Sequence, residues 1–245
     1  MDRKICPASR KRCPFGKLHY EYGYDRVKLR QPEQDWIVLK VGVVPGTKLL
    51  TYEQDVMLTE VECYRMIREQ TNVPVPEILA SDFSKQHIKS NYFFMTAMEG
   101  ALLSQVSKKM EKSNLDQIKV ELAGYLAQLH QIKGSYYGYF TEDPKYQYGT
   151  WKEAFFQMFE MVLQDGKEHQ VRLPYDRIRN ALKRHEKLLE MLKSPALVEY
   201  DCHEGNIFVK KTGGKYRIEG ILDFERAFWG DPAADFRRHL SSKMI

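Results

Sequence analysis

Three oxygen-bearing side chains, Asp201, Asn206 and Asp223, stand close together late in the chain. Between the last two lie short apolar runs, 207–211 and 216–222, flanking Thr212-Gly213-Gly214-Lys215. That spacing predicts a β-hairpin closed by a tight primed turn. A hairpin folds back on itself, so Asn206 at its start and Asp223 at its end come out on the same side, with Asp201 just before them. The set suits magnesium and phosphate chemistry, because Mg²⁺ prefers hard oxygen ligands and is usually held by one or two protein groups plus substrate phosphates. Asn206 and Asp223 can hold the metal while Asp201 points at a substrate hydroxyl.

The run Glu199-Tyr200-Asp201-Cys202-His203-Glu204-Gly205-Asn206, the hairpin, and then Asp223-Phe224-Glu225, Gly230-Asp231-Pro232 and Asp235 form a long, irregularly spaced pattern. It resembles the catalytic loop and metal-binding segment of the aminoglycoside phosphotransferase family, relatives of choline kinases and, more distantly, of protein kinases. That family's usual wording is His-x-Asp-x-x-x-x-Asn, a hairpin, then Ile-Asp-Phe/Trp-Glu, and Glu199 stands where its leading His is usual. The resemblance implies a bilobal, protein-kinase-like α+β fold, with an antiparallel sheet and one main helix in the N-lobe and a mostly helical C-lobe carrying the catalytic hairpin. It implies a small-molecule kinase that moves the γ-phosphoryl group of ATP or GTP to a hydroxyl, with Asp201 catalytic and Mg²⁺ on Asn206 and Asp223. The alternative is a non-catalytic nucleotide-binding protein, for which Glu199, a thin glycine loop and a short C-terminus speak.

The elements that must position this chemistry begin with strand-like alternation over residues 17–44, broken by a loop at 31–35. Ile37-Val38-Leu39-Lys40-Val41 sets one lysine in an apolar run. Such a lysine snorkels outward or meets an anion; the resemblance implies that it binds nucleotide phosphates. A helix is expected over 52–70, with Val56, Glu60, Tyr64 and Ile67 on one stripe. A carboxylate inside an apolar stripe needs a partner, and Lys40 is the candidate; Glu62 is the alternative to Glu60. Two prolines then stop the helix, and strands over 77–82 and 91–95 complete a five-stranded sheet. The pattern turns helical after Thr96-Ala97-Met98-Glu99-Gly100. This sets the expected boundary between a nucleotide-binding lobe, 1–97, and a catalytic and acceptor-binding lobe, 98–245. By resemblance it is the hinge, with backbone groups at Thr96 and Met98 meeting adenine. The phosphate-covering loop has only Gly16 and Gly23 to draw on and no GxGxxG.

In the second lobe, Ser113-Asn114-Leu115-Asp116-Gln117 reads as a helix cap, followed by Leu115, Ile118, Leu122, Leu126 and Leu129 at helical intervals. His130 reads as a hydrogen-bonded core residue. Thr150-Trp151-Lys152-Glu153 is a capping box opening a helix through Leu163, whose Phe155, Phe156, Phe159 and Val162 read as core. A further charged helix spans about 175–192. Glu225, Asp231 and Asp235 read as braces of the segment. Acids and bases are mixed between 151 and 193, where a polycationic aminoglycoside would need clustered carboxylates, so another small hydroxyl acceptor is favoured. The chain stops at Ile245, sooner than relatives generally do, and self-association through an incompletely covered C-lobe is expected.

The 245 residues suffice for two lobes with their own cores. At 43% hydrophobic and 29% charged the composition is that of a soluble globular protein. A net charge of +5, spread out except at Arg10-Lys11-Arg12, does not by itself argue for nucleic acid, and no nucleic-acid partner is expected. Four cysteines at 6, 13, 63 and 202 lack metal or redox spacing and read as reduced thiols. With no signal-like or membrane-length apolar run, a cytoplasmic protein without membrane contact is expected.

Overall fold

A computed structural model describes residues 18–21, 24–30 and 36–236. These fall into two compact units, one comprising the chain up to Thr47 with Pro76–Ala97, the other Lys48–Val75 with the chain from Met98. The class is α+β.

The first unit is a five-stranded antiparallel sheet. Its strands are β1 (Leu18–Glu21), β2 (Tyr24–Arg30), β3 (Trp36–Val41), β4 (Ile78–Asp82) and β5 (Tyr92–Thr96), in the order β1-β2-β3-β5-β4. The β-branched and aromatic runs read from the sequence form these strands because alternate side chains can face one core. On β5, Phe93 and Met95 are buried while their neighbours are partly open. Phe93 lies directly opposite Lys40 of β3. Lys40 is fully buried, so it does not snorkel to solvent. The glycines Gly16 and Gly23 and the basic cluster at 10–12 lie outside the described residues.

The second unit opens with helix α1 (Val56–Gln70). Val56, Glu60, Tyr64 and Ile67 are all buried, as the helical stripe requires. Glu62 is exposed, 3.7 Å from Arg65. After β6 (Ala101–Leu102) and the single turn α2 (Leu103–Val106) comes α3 (Lys112–Leu129), which buries Ile118, Leu122, Leu126 and Leu129. The expected cap at 113–117 is a correction: α3 starts at Lys112 after Glu111, with no side-chain cap. Asn114 accepts instead from the Tyr216 N–H at 3.4 Å, and Glu121 from the Ile218 N–H at 3.3 Å. Both donors lie on an edge strand, β10 (Lys215–Ile221) of the sheet β10-β9-β6, where β9 is Ile207–Thr212. Helix α3 thus satisfies backbone groups that an edge leaves open.

A third sheet, β7-β11-β8, joins β7 (Gly138–Tyr139), β8 (Ala196–Val198) and β11 (Phe228–Gly230). Helix α4 (Trp151–Glu168) packs on it, capped by the Thr150 hydroxyl accepting from the Glu153 N–H at 3.2 Å. The core here is Tyr137, Trp151, Ala154, Met158, Val198 and Phe228. Phe155 is only partly buried and Val162 is 43% exposed, so the core face of α4 is rotated from the aromatic stripe read in the sequence. The helix expected over 175–192 divides at His185 into α5 (Tyr175–Arg184) and α6 (Glu186–Leu189). No helix among the described residues is long and apolar enough to cross a membrane.

Gly100 shows how tightly the entry to this unit is built. Its φ is +88°, and a Cβ there would run into the Val209 carbonyl oxygen of β9. Gly214 has φ +85° but open space around it. In urea unfolding, Gly214→Ala is expected to cost about 1 kcal/mol from the left-handed backbone alone, and Gly100→Ala about 3 kcal/mol once the clash is added. Equal losses would contradict the close approach.

Candidate active site

The hairpin is closed by Gly213 and Gly214, both at positive φ, as a type I′ turn requires. Its strands pair from Lys215↔Thr212 to Ile221↔Ile207, with a bulge between Ile218 and Gly220. One further bond, from the Leu222 N–H to the Asn206 carbonyl at 2.9 Å, extends the pairing to the residue before Asp223. Asn206 in turn donates from Nδ2 to the Asp201 carbonyl at 3.1 Å. Its own N–H goes to the His203 carbonyl at 2.9 Å. These bonds bring Asp201, Asn206 and Asp223 together. Met98 also belongs here: its side chain occupies the space a Cβ on Gly220 would need.

Asp223 has φ +72°, and Tyr200, just before Asp201, has φ +71°. Left-handed backbone at a residue with a side chain costs energy and persists only where surroundings hold it. For Asp223 the hold is visible. Its N–H donates to the Tyr64 hydroxyl at 2.9 Å, and that hydroxyl donates to Glu60 Oε1 at 2.8 Å. Phe224, fully buried, meets the Tyr64 ring edge-on at 5.7 Å. Burial, then the Glu60 and Asp223 carboxylates, push the Tyr64 hydroxyl well above its usual range, so it remains a donor.

Carboxylate oxygens of Glu60, Asp223 and Glu225 lie within 4.8 Å of one another. Hard, anionic oxygens so close together fit a Mg²⁺ ion, which would relieve their repulsion. The link of Glu60 and Glu225 to Asp223 was not read from the sequence. Of the other residues singled out there, Lys40 is on β3 and Thr96 ends β5, both in the first unit. The Thr96 hydroxyl accepts from the Glu77 N–H at 2.9 Å, and its own N–H donates to the Glu77 carbonyl at 3.0 Å.

Behind Asp201, Asp235 binds three groups. His130 Nε2 lies 2.8 Å from its Oδ2, and the N–H groups of Glu199 and Tyr200 donate to it at 3.3 and 2.6 Å. Asp235 therefore braces the start of the loop, as its spacing suggested. Asp231 accepts from the Ala233 N–H at 2.9 Å, capping the short turn that delivers Asp235.

A sequence profile of the phosphotransferase enzyme family matches residues 26–244. The chain belongs to that family. Its fold is shared with solved aminoglycoside phosphotransferases. A thermostable mutant of APH(4)-Ia in its apo form matches with a TM-score of 0.60 at 17% identity, over 92% of this chain and 72% of that one. The streptomycin–ATP–APH(2″)-IIa ternary complex matches with a TM-score of 0.58 at 17% identity, over 91% and 70%. ADP-bound APH(2″)-Ib matches with a TM-score of 0.58 at 18% identity, over 91% and 70%. No curated protein sequence matches the chain.

This phosphotransferase-family chain carries a buried carboxyl at Glu199. It is fully buried, and neither oxygen has a hydrogen-bond partner of ordinary geometry among the described residues. Burial first, then the charges of Asp235, Asp201 and Asp223, push it well above the usual carboxylate range, against a weaker opposing pull from the Asp201 backbone N–H. Glu199 thus holds its proton to higher pH than an exposed carboxylate. In the unfolded chain it ionises near pH 4.3. Above that pH the native state holds the extra proton, so its contribution to stability falls as pH rises. Glu199→Gln removes this dependence. Its unfolding free energy relative to the parent is expected to climb as pH rises above about 4; a pH-independent difference would show that the fold does not raise the Glu199 carboxyl.

Proposed function

We propose that the protein is a small-molecule kinase that transfers the γ-phosphoryl group of ATP or GTP to a hydroxyl group. The observation that carries this reading is the joining of Asp201, Asn206 and Asp223 at the two ends of one hairpin, in a chain of the phosphotransferase enzyme family. Asp201 accepts the proton of the attacking hydroxyl. The acceptor oxygen bonds to the γ-phosphorus, the bond to the bridging β–γ oxygen breaks, and the nucleoside diphosphate leaves with that oxygen. Phosphoryl transfer relies on positioning and charge neutralisation more than on covalent chemistry by the protein.

Asn206 and Asp223 would hold Mg²⁺, which neutralises phosphate charge in such transfers. Lys40, buried on β3, is assigned to the nucleotide phosphates because the kinase-like families keep a phosphate-binding lysine on this strand. Glu60 supports the site, and backbone groups near Thr96 and Met98 are assigned to the base. In this reading residues 1–97 form the nucleotide-binding lobe, and 98–245 the catalytic and acceptor-binding lobe. The solved relatives include an APH(4)-Ia complex with AMP-PNP and hygromycin B. Those pairings of a nucleotide with a small hydroxyl compound support the reaction class here, while the mixed charge of 151–193 favours an acceptor other than a polycation.

The test is single-turnover transfer from γ-labelled Mg-ATP to a panel of small hydroxyl compounds, with Mg-ATP affinity measured by calorimetry. Asp201→Asn is expected to slow transfer about a hundredfold or more while Mg-ATP affinity stays nearly unchanged. Asp223→Ala is expected to lower both. Transfer at the parent rate by Asp201→Asn, or tight Mg-ATP binding by a parent protein that phosphorylates nothing, would overturn the reading.

A further inference from the structure

Arg226 was not singled out by the sequence, yet it places a cation beside Asp201. Its Nη1 lies 3.8 Å from Asp201 Oδ2, and the two side chains are 27% and 17% exposed. The Tyr52 phenol and the Glu225 and Asp223 carboxylates also face it. An arginine here is always charged and presents a rigid planar fork.

Its placement follows from the anchors of Asp223. Arg226 ends the short turn Phe224–Arg226, which starts from Asp223 in its left-handed conformation. The turn is closed by the Ala227 N–H on the Phe224 carbonyl at 3.1 Å. It is pinned by buried Phe224 against Tyr64. The Tyr64 hydroxyl that fixes the Asp223 backbone therefore also fixes the root of Arg226.

We propose that Arg226 is a positioning residue for Asp201. Drawing Oδ2 toward the guanidinium sets the plane of the carboxylate and hence the direction in which its other oxygen meets the acceptor hydroxyl. It also places a counter-charge among Asp201, Asp223 and Glu225, where repulsion would otherwise turn Asp201 aside. The inference rests on Asp201 acting on the acceptor, as proposed above.

The test compares the parent with Arg226→Ala, Arg226→Gln, Arg226→Lys, Asp201→Asn and the double variant Arg226→Ala/Asp201→Asn, using Mg-ATP with water and with the best panel hydroxyl as acceptors. For Arg226→Ala, kcat is expected to fall about a hundredfold, the scale of a misplaced reacting group, with KM and calorimetric Kd for Mg-ATP nearly unchanged. Arg226→Lys should keep an intermediate kcat, because it retains the charge without the fork. Guanidinium ion at sub-denaturing concentration should restore part of kcat to Arg226→Ala, and to neither the parent nor Asp201→Asn. In the Asp201→Asn background, losing Arg226 should add little. If Arg226→Ala fails to fold, Arg226→Gln carries the same comparison.

A loss of Mg-ATP affinity with kcat intact would assign Arg226 to the phosphates and overturn the proposal. So would a loss undiminished in the Asp201→Asn background, or parent-like kcat in Arg226→Ala and Arg226→Gln. Should Asp201→Asn itself turn over normally, it is the function reading that fails.

Discussion

Like charge concentrated at the ends of one hairpin is the constraint on which the second unit depends. Two unit charges about 4 Å apart repel by about 4 kcal/mol at an effective dielectric of 20. Glu60, Asp223 and Glu225 meet at such distances, and Asp201 and Asp235 act on the same buried Glu199. They cannot all be ionised, buried and unpaired. Each has its own remedy. Asp235 takes His130 and two backbone N–H groups, Glu60 takes the Tyr64 hydroxyl, Asp201 has Arg226, and Glu199 holds its proton to higher pH than an exposed carboxylate. Arg226 also faces Asp223 and Glu225, and in the proposed reaction Asn206 and Asp223 would hold Mg²⁺.

The remedies also explain local shapes with no local cause. Asp223 adopts a left-handed backbone because its N–H must reach Tyr64, 159 residues earlier. Tyr200 does likewise one residue before Asp201, with its N–H held by Asp235. Strain of this kind is stored beside the reacting groups and sustained by burial elsewhere, here by Phe224 and the Tyr64 face of α1.

What the sequence made legible was periodic or punctuated. The Gly-Gly turn predicted the hairpin, and the Val56-Glu60-Tyr64-Ile67 stripe predicted which carboxylate is buried. The lysine inside a strand run, Lys40, is buried, as one of its two readings required. What it hid depends on distant partners. Asn114 looked like part of a cap, but the edge of β10 claims its side chain, so α3 begins two residues earlier without one. The aromatic stripe of α4 only borders the core, because Trp151 stacks on Phe228 of β11 and Met158 joins the same buried cluster, with Phe155 packed against it. Arg226 gave no signal, since an arginine in a turn is ordinary until Asp201 is placed beside it.

In the proposed reaction this carboxylate cluster seats a metal–nucleotide complex and repels a bare polyphosphate. Calorimetric titration of the protein with ATP, once with Mg²⁺ in excess and once in EDTA at equal ionic strength, tests it most directly. Affinity is expected to be at least tenfold weaker in EDTA, a difference of about 1.4 kcal/mol, because without the metal the carboxylates repel the phosphates. Equal affinity with and without Mg²⁺ would contradict it.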